Sequence, residues 1–482
     1  MKTPVTKIYT LILLLMMAGL SSCQKEFLEV EPKGKLIAKQ INDYHLLLNS
    51  PFFNVAEVDG QLFLGDEISS VEPYFKNMLS LKSKRSFQYA DVIYEPNEDG
   101  SEIKTLMKQL YTYNIIINEV MNADGGTEEQ KLALKAEALT NRAWIYFMLI
   151  NYYGKPYLEA TAATDPGFPI VLSADVTLNK FDRSSVKEVY NFMISDLQAA
   201  IPALPISAGN RTRMSKAGAE ALLSKIYLFM GKYQDGLVQM DNAFAHLPTS
   251  YKVELYDYNV TLAVNGPWGY NPAISPLSFL LGIGTVTENQ EVLFPKQLSN
   301  NYTFLSNDLL LTPQAVGLYG ANDQRLKLLS TSYYGGTPIK ATGLRRRIGP
   351  LLVQLGMSMP DMYLIRAELK ARTGDLAAAT TILKAFLKNR ISGDTELNIT
   401  DQTAMVKFIM EERIREFAVQ GHRWFDMRRL SVDPLFAGKT YSHQALSETG
   451  EVIETFPLRA ERFVLRFPAK VIHANPGMSD NP

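Results

Sequence analysis

IMEERIREFAVQGHRWFDMRRL, residues 409–430, is the stretch that decides how this chain folds. Val406, Met410, Ile414 and Phe417 fall at spacings of 4, 4 and 3, which is one apolar face of a helix. Around and after them stand Glu412, Arg413, Glu416, Arg423, Asp426, Arg428 and Arg429, an alternation of charge across a helix end and the turn that follows. At first sight the cluster looks like an active site. Physically, guanidinium forks and carboxylates in alternation suit bidentate pairs that fix one packing geometry. The segment is therefore expected to be scaffold, and His422, beside Trp424 in the turn, a hydrogen-bonded core residue.

Working outward, the helical period recurs with clear punctuation. Thr127-Glu-Glu-Gln130 has the form of a capping box, and beyond it Ala136, Leu139, Ala143, Phe147 and Ile150 make an apolar face that Gly154 and Pro156 end. Ser185 with Glu188 predicts a second box, opening a helix that runs towards Pro202. Ala219, Leu222, Ile226 and Phe229 form another stripe, closed at Gly231. A further helix is predicted from Ser358, with Asp361 completing its capping box and Gly374 ending it. Asp375 then caps a helix striped by Leu376, Ala379, Leu383 and Leu387. The hairpins LLSKIYLFMGKYQDGL (222–237) and YLIRAELKARTGDLAAA (363–379) resemble the helix-turn-helix unit of tetratricopeptide repeats. They lie too far apart for a regular array. The expectation is a mostly α protein, with helical scaffold at about 103–247 and 358–430.

Between these blocks, at about 250–350, helical periodicity disappears into PWGYNPAISP (267–276), LLGIGTVTENQ (280–290), NNYTF (300–304) and SYYGGTP (332–338). Residues 51–100, with PFFNV, GDEISS, VEPYF and YEPNEDG, read the same way. Loops this long inside a compact chain are usually functional. Trp268, in Gly266-Pro-Trp-Gly-Tyr-Asn-Pro272, sits in a segment too broken for regular packing. An aromatic face held out on a rigid turn is a platform for a sugar ring or an apolar peptide side chain, and Tyr270 and Tyr302 would extend it. The alternative is that Trp268 staples its loop to the helices.

Composition narrows the function classes. Of 482 residues 46% are hydrophobic and 21% charged, which excludes disorder over most of the chain. A formal net charge of -1 does not indicate a nucleic-acid binder. One cysteine allows no intrachain disulfide and no CxxC site, and five scattered histidines offer no metal centre. At the N-terminus, Lys2 and Lys7 precede an apolar run, Ile8 to Leu20. That run is short of the ~20 residues of a bilayer span but fits a secretory signal. Leu20-Ser21-Ser22-Cys23 resembles the bacterial lipobox, so residues 1–22 are expected to be removed and Cys23 to carry lipid. Glu26, Glu29 and Glu31 then resemble the surface-export signal of Bacteroidetes lipoproteins.

Four stretches resemble the motifs of the SusD/RagB family of outer-membrane nutrient-binding lipoproteins. They are KAEALTNRAWIYFMLINYYGKPY (135–157), RMSKAGAEALLSKIYLFMGKY (213–233), MPDMYLIRAELKARTGDLAAATTILKAFLKNR (359–390) and the opening stretch itself. The third has the form seen in the RagB-like branch. PAKVIHANPGMSDNP (468–482) matches the family's ending, and Asp323-Gln-Arg325 its short motif before the third helix. The resemblance implies a SusD-like fold in one domain over 23–482, anchored by lipid on the outer face of the outer membrane. It also implies a partner, a SusC/RagA-like TonB-dependent transporter, and a glycan or peptide ligand handed on without catalysis. The insertion carries no family motif, so the ligand is not named by the resemblance.

Other chemistry is thinly supported. No G-x-S-x-G elbow, H-E-x-x-H motif or Walker A loop occurs, and Gly282-Ile-Gly284 is an incomplete dinucleotide fingerprint. Asn97, Asp99 and Glu102 fail the calcium-loop pattern. No catalytic residue, cofactor or metal is expected. Arg345-Arg346-Arg347 reads as a solvated or salt-bridged edge, or else as a contact for an anionic ligand. The commitment is a surface protein capturing an oligomeric nutrient, most simply a glycan. Its rivals are a peptide binder, a lipid-anchored glycoside hydrolase and a pure scaffold.

Overall fold

Thr127 opens its helix as the sequence predicts: its hydroxyl accepts from the Gln130 amide at 3.2 Å, while Gln130 Oε1 accepts from the Thr127 N–H at 2.9 Å. The computed structural model that shows this describes residues 38–175, 177–178, 180–270 and 286–482. The signal segment and Cys23 lie outside the described residues.

In chain order the scaffold helices are α1 (Ile41–Leu48), α2 (Ser101–Glu119), α3 (Glu128–Tyr153), α4 (Val186–Ala200), α5 (Lys216–Phe229), α6 (Tyr233–Ala245), α7 (Met359–Arg372), α8 (Leu376–Leu387), α9 (Gln402–Glu416) and α10 (His422–Leu430). Ser185 and Glu188 form the second predicted capping box, and Asp375 caps α8 by accepting from Ala378 N at 3.0 Å. The box predicted at Ser358 does not form. Asp361 is taken instead by Lys225 and by Arg413, each at 2.8 Å, because two buried cations outcompete one backbone amide for a carboxylate.

Helices α5 and α6 form one antiparallel hairpin and α7 and α8 another, and α7 packs against α5, α6 and α9. The tight turns run through Gly231 and Gly374 at φ 72° and 89°, a region that favours glycine. Gly236 lets the two hairpins come close: a Cβ there would stand 3.1 Å from Leu369 and 3.2 Å from the Ser224 carbonyl. The apolar face foreseen for α3 is only part of its burial. Every residue from Ala136 to Tyr153 is buried. Helices α2 and α4 flank α3, and the Phe294 ring meets Trp144 edge-on at 6.3 Å.

The non-helical part includes a small sheet of β1 (Ile68–Val71), β2 (Leu310–Leu311), β3 (Ser442–Leu446) and β4 (Val452–Pro457), in the order β4-β3-β1-β2. Strands β1 and β3 are parallel, and the other pairs antiparallel. Among the described residues of 250–350, helices are single turns and strands are two or three residues long. The basic run at 345–347 is a correction. Arg346 and Arg347 pair in a strand with Leu329–Ser330 and are 5% and 4% exposed. Arg346 spends its guanidinium on the carbonyls of Ser332 (3.1 Å) and Thr303 (2.8 Å), so neither arginine forms a solvated edge.

Candidate functional site

Most charges of the opening stretch are buried and paired with other buried charges, while Arg423 pairs with Asp66 and Arg428 donates to the Gly154 carbonyl. Arg413 donates to Asp426 at 2.7 Å and to Asp361 at 2.8 Å. Arg429 grips Glu368 at 2.7 and 2.8 Å and reaches Asp426 at 3.0 Å. Arg325 joins Glu412 at 2.5 Å to Glu416 at 3.0 Å, and Arg390 ties Glu416 to Glu291. Burial alone would raise the Asp361 and Glu368 carboxyls. The cations against them outweigh it and hold both below the usual carboxylate range. Carboxylates held so firmly ionised are poor proton carriers near neutral pH. The cluster ties α7, α9 and α10 together, as its alternation predicts. His422 is likewise core: burial pushes its imidazole down to about 4, it bonds the Gln354 carbonyl at 2.9 Å, and it stacks on Phe417.

The three aromatic candidates fall in two places. Trp268 is only 5% exposed and meets the rings of Tyr256 and Tyr258 at 5.0 and 5.3 Å, both steeply inclined. Leu262 and Leu328 complete this satellite core, with Tyr270 packed partly buried against it. Trp268 therefore presents no open face, and the stapling alternative describes its contacts better. Lys327 reaches over the Tyr270 ring at 5.4 Å. Tyr302 belongs to the main core instead, its hydroxyl on Asp59 and its ring edge-on to Phe63 at 4.5 Å. It extends no platform with Trp268.

An aromatic surface does form where the two loop regions meet, on top of the small sheet. Val71 of β1, Leu310 of β2 and Leu446 of β3 make a compact cluster with Tyr333, Ala341 and Leu344. Tyr74, partly buried, packs on this cluster with its ring 4.8 Å from that of Tyr333. The next residue, Tyr334, is 41% exposed, backed by the Arg346 guanidinium 6.0 Å from its ring. Beside them lies a notch of about 90 Å³ edged by Glu72, Thr337, Lys340 and Glu448. Lys340 pairs with Glu448 at 2.8 Å and Lys76 with Glu72 at 2.6 Å. The notch is too small to enclose a ligand (pockets that do so span ~300–1,000 Å³), so a ligand would lie across the rings. Burial, then the neighbouring Tyr74 and Glu448, push the Tyr333 hydroxyl up to about 12, so it stays a neutral donor.

Sequence reading singled out tryptophan and passed over VEPYF and SYYGGTP, although both lay in segments marked as functional loops. Tyrosine flanked by Pro and Gly was the available signal; which tyrosines meet is a matter of tertiary contact. Among the described residues no group of three His, Cys, Asp or Glu could hold a metal ion, and no helix is long and apolar enough to cross a membrane.

Comparison with known proteins agrees with this architecture. Residues 26–228 match a SusD-like family model described as "Starch-binding associating with outer membrane", and residues 357–482 match the model of the SusD family. SusD-like protein P25 of Formosa agariphila is 26% identical over 247 residues, 48% of this chain and 44% of that protein. The chain thus spans less than half the length of this curated relative. A putative sugar binding protein from Bacteroides vulgatus superposes with a TM-score of 0.71 at 21% identity, over 93% of this chain and 99% of that one. A laminarin binding SusD-like protein gives 0.62 at 16% identity, over 92% and 99%. With both ends of the chain matched, the helical hairpins in place and this fold shared almost end to end, the chain belongs to the SusD/RagB family.

Proposed function

We propose that this chain is a surface binding protein that captures an oligomeric glycan across Tyr74 and Tyr334, with Tyr333 buried beneath as their support, and passes it to a TonB-dependent transporter. The observation that carries the reading is the convergence of residues 72–74, 333–340 and the β3–β4 turn at a polar-edged notch, with Tyr74 half-buried at its side and Tyr334 exposed next to the buried Tyr333. Flat rings accept the C–H face of a sugar, and the Glu72, Thr337, Lys340 and Glu448 side chains suit its hydroxyls. Support comes also from the laminarin binding neighbour and from the starch-binding description of the matched family model. Proteins of this family are associated with the outer membrane; attachment through lipid on Cys23 and a transporter partner complete the proposal. Tyr270 and Tyr302, each half-buried, are secondary candidate contacts.

The test is calorimetry of the full chain in detergent against a panel of neutral and acidic oligosaccharides and peptides. A glycan should bind, and Tyr74→Ala or Tyr334→Ala should weaken it at least tenfold, about 1.4 kcal/mol, with the melting temperature unchanged in Tyr334→Ala. Binding of peptides alone would turn the reading to peptide uptake. Turnover of a bound oligosaccharide would make the chain a hydrolase and overturn it.

A further inference from the structure

A second cavity, on the helical side of the molecule, shares no lining residue with the tyrosine surface. It has a volume of about 550 Å³ and lies between α1, the first turns of α3 and residues 204–214. At its base Arg213 and Glu137, 9% and 6% exposed, form a bidentate pair with contacts of 2.6 to 2.9 Å. The remaining Arg213 nitrogen donates to Asn49 Oδ1 at 3.0 Å and to His45 Nδ1 at 3.1 Å. The guanidinium is thereby used up, and the base carries no net charge.

What is left for a ligand is a set of neutral polar groups. Asn49 accepts from Arg213 through its oxygen, which leaves its amide N–H groups directed elsewhere. Asn210 accepts from Thr212 N and Oγ1 at 3.0 and 2.6 Å, so its amide N–H groups are also available. Burial and the Arg213 charge lower the affinity of His45 for a proton. Both ring nitrogens face the Arg213 guanidinium, Nδ1 at 3.1 Å and Nε2 at 3.4 Å, so the imidazole stands at the cavity base as a neutral acceptor. Asn42 adds an exposed carboxamide on the next turn of α1. Leu134 and Leu204 supply an apolar floor, both nearly buried.

We propose that this cavity is a second saccharide site, specific for neutral sugars. Carboxamides and a neutral imidazole match hydroxyl and acetamido groups, which both give and accept hydrogen bonds. The leucine floor matches the C–H face of a pyranose. An anionic ligand would need a free cation and finds Arg213 already paired. A lipid would leave the amide rim desolvated and unsatisfied. The cavity falls in the range of small-ligand pockets, ~300–1,000 Å³. The choice of sugars as probes rests on the glycan reading above; the location and the preference for neutral ligands do not. Two sites on one chain would hold a long glycan by effective concentration.

The experiment follows His45 by NMR in the full chain in detergent, with histidine imidazoles labelled with carbon-13 and the His45 signal assigned through His45→Gln. Laminaribiose, lactose and chitobiose are the neutral probes; glucuronate and triglycine are the controls. At least one disaccharide should shift the His45 signal saturably, with a dissociation constant around 1 mM, about -4 kcal/mol. The shift should vanish in Ala133→Trp, which fills the cavity from α3, and weaken at least fivefold in Asn210→Leu, a milder change should the first fail to fold. It should persist in Tyr74→Ala/Tyr334→Ala. Silence of His45 towards all three disaccharides, or a response to glucuronate or triglycine as large as theirs, would overturn the proposal. A His45 response in a protein whose tyrosine surface binds nothing would sink the earlier reading and leave this one standing.

Discussion

Glu368 offers the clearest test of whether the buried charges act as scaffold. Its carboxylate is fully buried and accepts from Arg429 at 2.7 and 2.8 Å and from Arg372 at 2.8 Å. Glu368→Ala leaves two guanidinium groups, 5% and 4% exposed at their side chains, each short of one partner. Arg429 would keep Asp426 and Arg372 would keep Asp433, so the loss is partial for each. Breaking one partner of a buried pair costs ~3–5 kcal/mol. An unfolding entropy of about 2.1 cal/mol/K per residue makes about 1 kcal/mol/K for a chain of this length, so the melting temperature should fall by ~3–5 °C. The control is Lys340→Ala, which removes an ion pair exposed at both ends (64% and 56%) and should move it by less than about 1 °C. The sign with pH is fixed as well. The Glu368 carboxyl is held low in the folded protein, so its contribution is present above the ordinary carboxylate range and is lost as pH falls through the folded value. The difference between wild type and Glu368→Ala should therefore shrink in acid. A variant melting within 1 °C of wild type at neutral pH would refute the view that this network holds α7 to α10.

Glu67 works in the opposite direction. Burial, then the adjacent Asp66 charge, push its carboxyl up to about 7, and one of its oxygens has no partner. The fold thus favours its protonated form, and stability falls as pH rises through that value; Glu67→Gln should stabilise the protein by ~3 kcal/mol at pH 8 and hardly at pH 4, read from melting curves at both. Trp268→Ala should lower the melting temperature by ~3 °C and leave glycan affinity intact, because its ring is packed between Tyr256 and Tyr258; an unchanged melting temperature with weakened binding would return Trp268 to the ligand surface. Cys23→Ala should abolish lipid labelling and release the protein from membranes that lack its transporter, and persistent attachment would sink the lipobox reading.

Much of the helical frame was legible because its signals are local. Thr127 with Gln130, Ser185 with Glu188 and Asp375 before Ala378 are contacts within one turn, and the apolar stripes of α5, α8 and α9 need only the helical period to be seen. The Ser358 box failed for a non-local reason. Its acidic member had Lys225 and Arg413 within reach, one from α5 and one from α9, and no window of sequence around 358 contains either. The burial of Arg346 and Arg347 was hidden in the same way, since Arg346 donates to the carbonyl of Thr303 and Arg347 lies near Tyr258 and Tyr319, all far off in the chain.

The sequence by itself determined the elements, the charge alternation that locks them and the family motifs at 135–157, 213–233, 359–390 and 409–430. These depend on near neighbours in the chain and on residue chemistry that survives in any context. Only the tertiary structure decided where the aromatic surface lies. Trp268 and Tyr334 both sit in irregular, glycine-flanked segments, and nothing local distinguishes them. One found Tyr256, Tyr258 and Leu328 to pack on, while the other was left exposed above Arg346, beside the Tyr74–Tyr333 pair that β1, β2 and β3 support. An aromatic ring buries its faces wherever partners arrive, and partners arrive from parts of the chain that only the fold brings near.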